Sequence, residues 1–559
     1  MNESQALGWQ PKPGTPARPA STVVLVRDGN ALQVLLVRRA TRAGDSWAGM
    51  CVFPGGGADP ADRLLHEHCA GLDDASASRL LRVPSGGLDY YIAGLRETFE
   101  ESGLLLATAH DGTPLTASHL KQLSALRAAL NRSELTLAQL CAQAEIRLAP
   151  AKLLFFSHWV TPPGNAKRYD TRFFVARAPE HQIASDDEKE TVEQLWLTPE
   201  EALDRRQELR LAPPTVMTMK WLQPHRAVDE VLRTAQAMPK VRCMMGRMAQ
   251  GSKGMRPVMP DEPAWAELSR IDADGHGTFS YELAPGPAVR LSPRLIRVTA
   301  PNGSIMTGPG TNSYFVGGGA ENEWALIDPG PPDDDHVRAL LAALPGKLRW
   351  IFVTHTHKDH SPAAQAVGAA TGAQLIGRLP DYQEWQDTTF VPELPLRGGE
   401  RFNLPGDTTL NVIHTPGHAS NHLCYHLPEE RLLFTGDHVM QGSTVVINPP
   451  DGDMSAYINS LRELLPLDID WIAPGHGFLM ARPRDAMERI ITHRLQREAK
   501  VFAALQPATQ SLDQLLATVY ADVVPQLLPV ARRSLLAHLL KLRDDSRAIE
   551  VAAGWQLTD

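Results

Sequence analysis

The apolar positions fall into three regimes along the chain. From about Ser21 the segment "TVVLVRDGNALQVLLVRRA" places two strand-length apolar runs around Asp28, Gly29 and Asn30, which predicts two strands joined by a turn. This first block extends to about Leu222. Residues 223–291 then mix Pro, Gly and Met without a sustained period, as in "MPKVRCMMGRMAQGSKGMRPVMPDEP", and read as a connecting region. A second block, residues 292–482, alternates short apolar runs with turn residues, the pattern of an α/β domain. Beyond it, residues 483–559 turn helical. There Leu535, Leu536, Leu539, Leu540 and Leu542 form an apolar stripe expected to face a core. Residues 1–19 are polar and proline-rich, the composition of a disordered tail.

Composition narrows the function classes. At 559 residues the chain exceeds one ordinary core and predicts several domains. A hydrophobic content of 43% and a charged content of 21% are those of a soluble globular protein. A net charge of −9 argues against a general nucleic-acid or anionic-membrane binder, and no apolar run reaches the length of a membrane span. The five cysteines include no CxxC pair, and the start lacks the apolar segment of a secretory signal, so a cytoplasmic protein with no membrane partner is expected.

The chemistry concentrates after one apolar run. "LRWIFVTH" reads as a buried strand, and His355, His357, Asp359 and His360 follow its carboxyl end, where open α/β sheets bind ligands. Imidazole and carboxylate are the ligands zinc takes where no cysteine is offered. A lone histidine is more often a surface or core group. Here Asp328 ("EWALIDPG"), His418 ("HTPGHASNH"), Asp437 ("FTGDHVM") and His476 ("APGHG") recur, each in a glycine-containing turn after an apolar run.

Together these motifs resemble the metallo-β-lactamase superfamily, a four-layer αββα sandwich, over residues 292–482. The resemblance implies that His355, His357 and His418 bind one metal and that Asp359, His360 and His476 bind another. Asp437 would bridge the two, and Asp328 would support the first turn. Two zinc ions, or manganese or iron, are implied, with an activated water attacking an ester, thioester or phosphodiester; Asp359 is a candidate catalytic group. "TGPGTNSYFVG" and the segment from "FTGDHVM" through "AYINSL" are similar to the glyoxalase II-like branch and its beta-lactamase-like protein 2 type. Eukaryotic members of that type are single-stranded RNA endonucleases. The type ends in a winged-helix-like domain, which residues 484–545 resemble. Arg532, Arg533, Lys541 and Arg543 there could meet phosphates, or simply form a solvated helix face.

The first block carries a second site. Glu97, Glu100 and Glu101 share one face of an amphipathic helix whose other face holds Ile92, Leu95 and Phe99. Gly103 ends that helix, and Gly55 and Gly56 form a loop where backbone can approach a phosphate. Clustered carboxylates beside such a loop suit Mg²⁺ or Mn²⁺ holding a pyrophosphate. "RETFEESG", from Arg96 to Gly103, resembles the Nudix box, so an α/β/α Nudix sandwich is expected over residues 20–222. Asp62 stands where the family has an earlier Glu, and a long insertion separates it from Arg96. With "KRYDTRFFVA" and "LAPPTVMTMKWL", this resembles the Nudix-19 branch of coenzyme A diphosphatases. The resemblance implies that CoA or acyl-CoA is cut at its pyrophosphate, with Glu100 and Glu101 as candidate catalytic carboxylates and Glu190 as a weaker candidate ligand or base.

The combined reading is a multidomain α/β hydrolase with two metal centres. Its expected partner is a small molecule, a CoA ester or a nucleoside diphosphate derivative. The alternative is a single-stranded RNA endoribonuclease in which the Nudix half senses a nucleotide.

Overall fold

The computed structural model describes residues 15–40, 48–163, 165, 167–184, 191–238, 240–442 and 445–558. Most of the expected disordered tail, and Glu190, lie outside the described residues. The chain divides into two compact units, Met1–Met248 with Asp274–His276, and Ala249–Ala273 with Gly277–Asp559. Among the described residues no helix is long and apolar enough to cross a membrane.

The first unit is built on an eight-stranded mixed sheet. The strands Arg18–Asp28 and Leu32–Arg39 pair antiparallel across the expected turn, with Val26 opposite Val34. Tyr169–Arg177 runs parallel to the first of them. Val23, Val24, Leu25 and Val26 are all fully buried, because both faces of the sheet are covered; this is why the segment reads as a continuous apolar run rather than an alternation. The helix Gly87–Ser102 packs Leu88, Ile92, Leu95 and Phe99 into the core on one face. Part of residues 223–291, expected to be a connection, is ordered here. The helix Val228–Gln236 buries Val228, Val231 and Ala235, and Cys243–Met244 adds a short parallel strand beside Leu154–Val160.

The second unit stacks two sheets face to face. A seven-stranded sheet contains Leu295–Thr299, Asn312–Gly318, Glu323–Ile327 and Lys347–Phe352 in adjacent order. A six-stranded sheet contains Thr408–His414, Leu423–Leu427, Leu432–Gly436 and Trp471–Pro474. Between them Leu295, Tyr314, Ile327 and Phe352 meet Leu410, Tyr425 and Phe434. The outer face of the first sheet is covered by the helices Asp334–Ala342 and Ala363–Thr371. Met454–Leu464 and Pro483–Ala504 cover the outer face of the second. The result is the αββα order expected for this half.

The pairing changes from antiparallel to parallel at Glu323–Ile327. That change sets the carboxyl ends of Glu323–Ile327 and Lys347–Phe352 side by side, with Ile327 opposite Phe352 and the Asp328 amide donating to the Phe352 carbonyl at 2.9 Å. At the C-terminal end, Leu512–Val519, Leu528–Asp544 and the hairpin Ala548–Val551/Gly554–Leu557 enclose a separate small core. In it Leu535, Leu539 and Leu542 are fully buried, with Leu536 and Leu540 at its margin.

A further part of the expected connection is also ordered. The helix Trp265–Ile271 delivers Glu267 to Arg297 on the strand Leu295–Thr299, a two-pronged ion pair of 2.5 and 2.9 Å whose side chains are 3% and 2% exposed. Glu267 also accepts from the Leu479 amide at 2.8 Å. Removing one partner of such a pair leaves a buried charge without its counter-ion. Glu267→Ala is therefore expected to destabilise the second unit by about 3–5 kcal/mol, measured by denaturant unfolding. A loss under about 1 kcal/mol would mean that water reaches Arg297 freely.

Candidate functional site

The second unit's site is assembled at the strand ends just described. Asp328 follows Glu323–Ile327 with φ of 51°, a left-handed conformation that aspartate tolerates better than most residues. From there its carboxylate accepts from the Thr354 amide at 2.7 Å and the Thr354 hydroxyl at 2.8 Å, and pairs with His360 Nδ1 at 2.9 Å. One buried carboxylate thus ties the strand end to the turn that carries His355, His357, Asp359 and His360.

Two donor groups converge above this turn, and within each the ligand atoms all lie within 4.8 Å of one another. The first is His355, His357 and His418, with His355 Nε2 and His418 Nε2 each 3.0 Å from His357 Nδ1. The second is Asp359, His360, Asp437 and His476. Asp437 Oδ1 lies 3.3 Å from His360 Nε2 and 3.2 Å from His476 Nε2, while its Oδ2 lies 3.8 Å from His418 Nε2. Asp437 therefore faces both groups, one oxygen to each. Gly475 permits the approach, since a Cβ there would sit 2.7 Å from Asp437 Oδ1 and 2.8 Å from the His360 ring.

The histidine tautomers follow from their outer contacts. His418 Nδ1 faces the Val446 carbonyl at 2.7 Å, and His476 Nδ1 faces the Gly310 carbonyl at 3.1 Å. A carbonyl only accepts, so these nitrogens carry the protons, and in the neutral rings each Nε2 is left as a lone pair pointing inward. His360 Nε2, His476 Nε2 and Asp437 Oδ1 are buried without a hydrogen-bond partner among the described residues. Buried acceptors turned toward one another are satisfied by positive charge between them, so the donor set fits a metal site.

The electrostatics agree. Burial disfavours charge on His360 and His476, but the carboxylates outweigh it: Asp359, Asp437 and Asp328 hold His360 well above its usual value, and Asp437 and Asp359 push His476 to about 10. Burial would raise Asp359, yet His360 and His476 bring it down to about 2. In the three-histidine group burial, followed by the neighbouring imidazoles, holds His355 well below its usual value; burial and His418 bring His357 to about 3. His360 and His476 attract positive charge, while His355 and His357 are disfavoured from taking up protons.

Other bracing residues were not apparent from the sequence. Gln386 accepts from the Thr356 hydroxyl at 2.7 Å, Asp387 from Ser361 at 2.6 Å, and Asn421 donates to Thr356 at 2.8 Å. Gln386 and Asp387 sit in an aperiodic loop with no local signal. His422 and His438, fully buried behind the site, stand inside the quoted motifs and could have been found there.

In the first unit Arg96 sits among the box carboxylates. It donates to Asp62 at 2.9 Å, Glu97 at 2.8 Å and Glu100 at 3.4 Å, and to the Gly57 carbonyl at 2.8 Å. The insertion folds as the helices Pro60–His68 and Asp74–Leu81, and so returns Asp62 to the box. Glu101 accepts from the Gly55 amide at 3.0 Å, and a Cβ on Gly56 would lie 2.4 Å from the Glu97 carboxyl. Gly103 closes the helix at φ of 73°. Burial, eased by Arg96, pushes Glu100 up to about 7. Among the described residues both tight ligand clusters lie in the second unit; Glu97, Glu100 and Glu101 are held by Arg96 and the glycine loop instead.

Comparison with known proteins places both halves. Residues 306–476 match the model of the metallo-beta-lactamase superfamily, and residues 511–555 match the beta-lactamase associated winged helix domain. The Beta-lactamase-like protein 2 homolog of Drosophila melanogaster is 30% identical over 277 residues, which are 47% of this chain and 92% of the fly protein. The chain belongs to the metallo-beta-lactamase superfamily. To this metallo-beta-lactamase half is joined a Nudix domain, since residues 73–222 match the NUDT19 Nudix domain model. Both are hydrolase families, and the protein is an enzyme. An atrochrysone carboxyl ACP thioesterase of Aspergillus chevalieri is 31% identical over 293 residues, 49% of this chain and 89% of that protein. The crystal structure of a NUDIX hydrolase from Alicyclobacillus acidocaldarius is 26% identical, covering 39% of this chain and 96% of its own at a TM-score of 0.31.

A cavity of about 970 Å³ opens on the metallo-beta-lactamase site, with His357, Asp359, His418 and Asp437 among its lining residues. Asp359 is 26% exposed whereas His360 is fully buried, so Asp359 is the member of its group most open to the cavity. Because Asp328 orients the turn without reaching the ligand cluster, Asp328→Asn is expected to weaken metal retention about 10–100-fold, read by competition against a chelator. Unchanged retention would show that the turn holds its shape without that carboxylate.

Proposed function

We propose that the metallo-beta-lactamase half hydrolyses a thioester at a centre of two metal ions, with zinc the expected occupant. The observation that carries this reading is Asp437, which turns one oxygen to each donor group. In this reading His355, His357 and His418 would hold one ion, Asp359, His360 and His476 would hold the other, and Asp437 would serve both. The ions would supply the Lewis acidity that ionises water and polarises the scissile carbonyl. Asp359, held anionic by its histidine neighbours, orients the attacking water rather than storing its proton. His476 and His418 are fixed by the Gly310 and Val446 carbonyls and keep the donor set in register. The resemblance to the fungal ACP thioesterase supports a thioester over a phosphodiester.

For the Nudix half the proposal is cleavage of a pyrophosphate, with Mg²⁺ or Mn²⁺ held by Glu97, Glu100 and Glu101 and with Arg96 setting their geometry. Acyl-CoA contains both scissile bonds, which makes a CoA ester the common substrate. The test is mass spectrometry of products from acyl-CoA incubated with Mn²⁺ and Zn²⁺. Asp437→Ala is expected to cut release of free CoA at least about a hundredfold, in the range of catalytic-group losses, while adenosine 3′,5′-bisphosphate still forms. Replacing Glu100 and Glu101 by Gln should give the reverse. Salt-sensitive cleavage of single-stranded RNA, with acyl-CoA untouched, would replace this reading by the endoribonuclease.

A further inference from the structure

The cavity over the metal site has unlike walls, and one corner of it is built at a cost in backbone strain. Trp385 has φ of 71°, a conformation that is an outlier for a bulky side chain, and the residue is nevertheless 55% exposed. The strain is held in place by the next residue. Gln386 is 3% exposed, bonds Thr356 between the motif histidines, bridges to the His357 backbone, and donates to Asp451 at 2.8 Å. The metal-site turn therefore fixes an aromatic ring at the cavity mouth.

The helix Leu528–Asp544 brings Arg533 over that ring, 5.4 Å from its centre. Two other arginines that line the cavity are engaged elsewhere. Arg494 is 3% exposed and donates to the Val445 carbonyl, and Arg497 is held by the Val519 carbonyl at 2.8 Å and Asp522 at 3.3 Å. Among the described residues no carboxylate pairs with Arg533, which is one of the residues lining the cavity. Ile305 and Met306, 71% and 42% exposed, also line the cavity and supply apolar surface. An exposed cation stacked on an aromatic ring retains its outward N–H groups for an anion.

We propose that Arg533, seated on Trp385, recognises the phosphate of a 4′-phosphopantetheine thioester, with the acyl chain against Ile305 and Met306. Arg533 is then a specificity residue, and the substrate is an acyl group on a phosphopantetheine arm. Coenzyme A and an acyl carrier protein share that arm. This inference rests on the thioester reading for its chemistry, and its test is separable from that reading.

The first measurement is calorimetric binding of S-decyl phosphopantetheine, a thioether that cannot be hydrolysed and lacks the pyrophosphate bond of CoA. Its binding to the zinc-loaded wild-type protein is compared with that to Arg533→Ala and Trp385→Ala. Loss of one charge-assisted contact predicts about tenfold weaker binding for Arg533→Ala. The second is hydrolysis of decanoyl thioesters of CoA, of acyl carrier protein and of N-acetylcysteamine, which has no phosphate. Arg533→Ala should raise KM about tenfold for the first two, leave kcat little changed, and leave the third within about twofold. Equal affinity of wild type and Arg533→Ala for the thioether overturns the proposal, whether or not any thioester is cut. Binding that depends on Arg533 without hydrolysis of any thioester upholds phosphate recognition and removes the thioesterase reading alone. A rise in KM confined to the CoA ester or to the carrier-protein ester identifies which source of the arm is used.

Discussion

Seven imidazole and carboxylate side chains are turned toward two points in the second unit, and donors so arranged repel one another unless positive charge lies between them. That constraint organises the surrounding structure. His418 and His476 commit their outer nitrogens to backbone carbonyls, and His360 pairs with Asp328, so none of the three is free to rotate away. The glycine at position 475 yields the space that Asp437 and His360 need. The fold supplies what a flexible chain cannot, ligand side chains whose orientations are fixed by hydrogen bonds to the surrounding structure.

The αββα sandwich makes this possible because each contributing turn leaves the same edge. Strands from both sheets end there: Glu323–Ile327 and Lys347–Phe352 in one, Leu432–Gly436 and Trp471–Pro474 in the other. The core between the sheets, with Phe352 against Tyr425 and Tyr314 against Phe434, fixes the spacing of those ends. The C-terminal helices then give the site a wall of different chemistry. Their arginines line the cavity, while their own leucine core lies behind.

In the proposed function the two halves would hold their cations by different chemistry. The metallo-beta-lactamase half offers mainly buried imidazoles, fixed in orientation by carbonyl and carboxylate neighbours. The Nudix half gathers carboxylates around one arginine, with Glu100 pushed up to about 7 by burial. Arg96 offsets part of the negative charge of Asp62, Glu97 and Glu100 and keeps them close.

The sequence by itself determined the family of each half, because the candidate ligand residues after apolar strands and the box residues along one helix stand in recognisable local order. The His355–His360 motif, the isolated His418, Asp437 and His476, and the run from Arg96 to Gly103 were all legible, as were the strand pair across Asp28–Asn30 and the leucine stripe of the last long helix. Only the tertiary structure decided which donor meets which. The two oxygens of Asp437 face groups from turns far apart in sequence, and no local pattern encodes that meeting. The same holds for Asp62, returned to Arg96 by a folded insertion, and for Gln386, Trp385 and Arg533, which carry no periodic signal. It holds too for residues 223–291, whose Pro, Gly and Met composition reads as a connection. Glu267 and Val231 are buried there by partners far away in the chain, since burial is set by what packs from a distance rather than by neighbours in sequence.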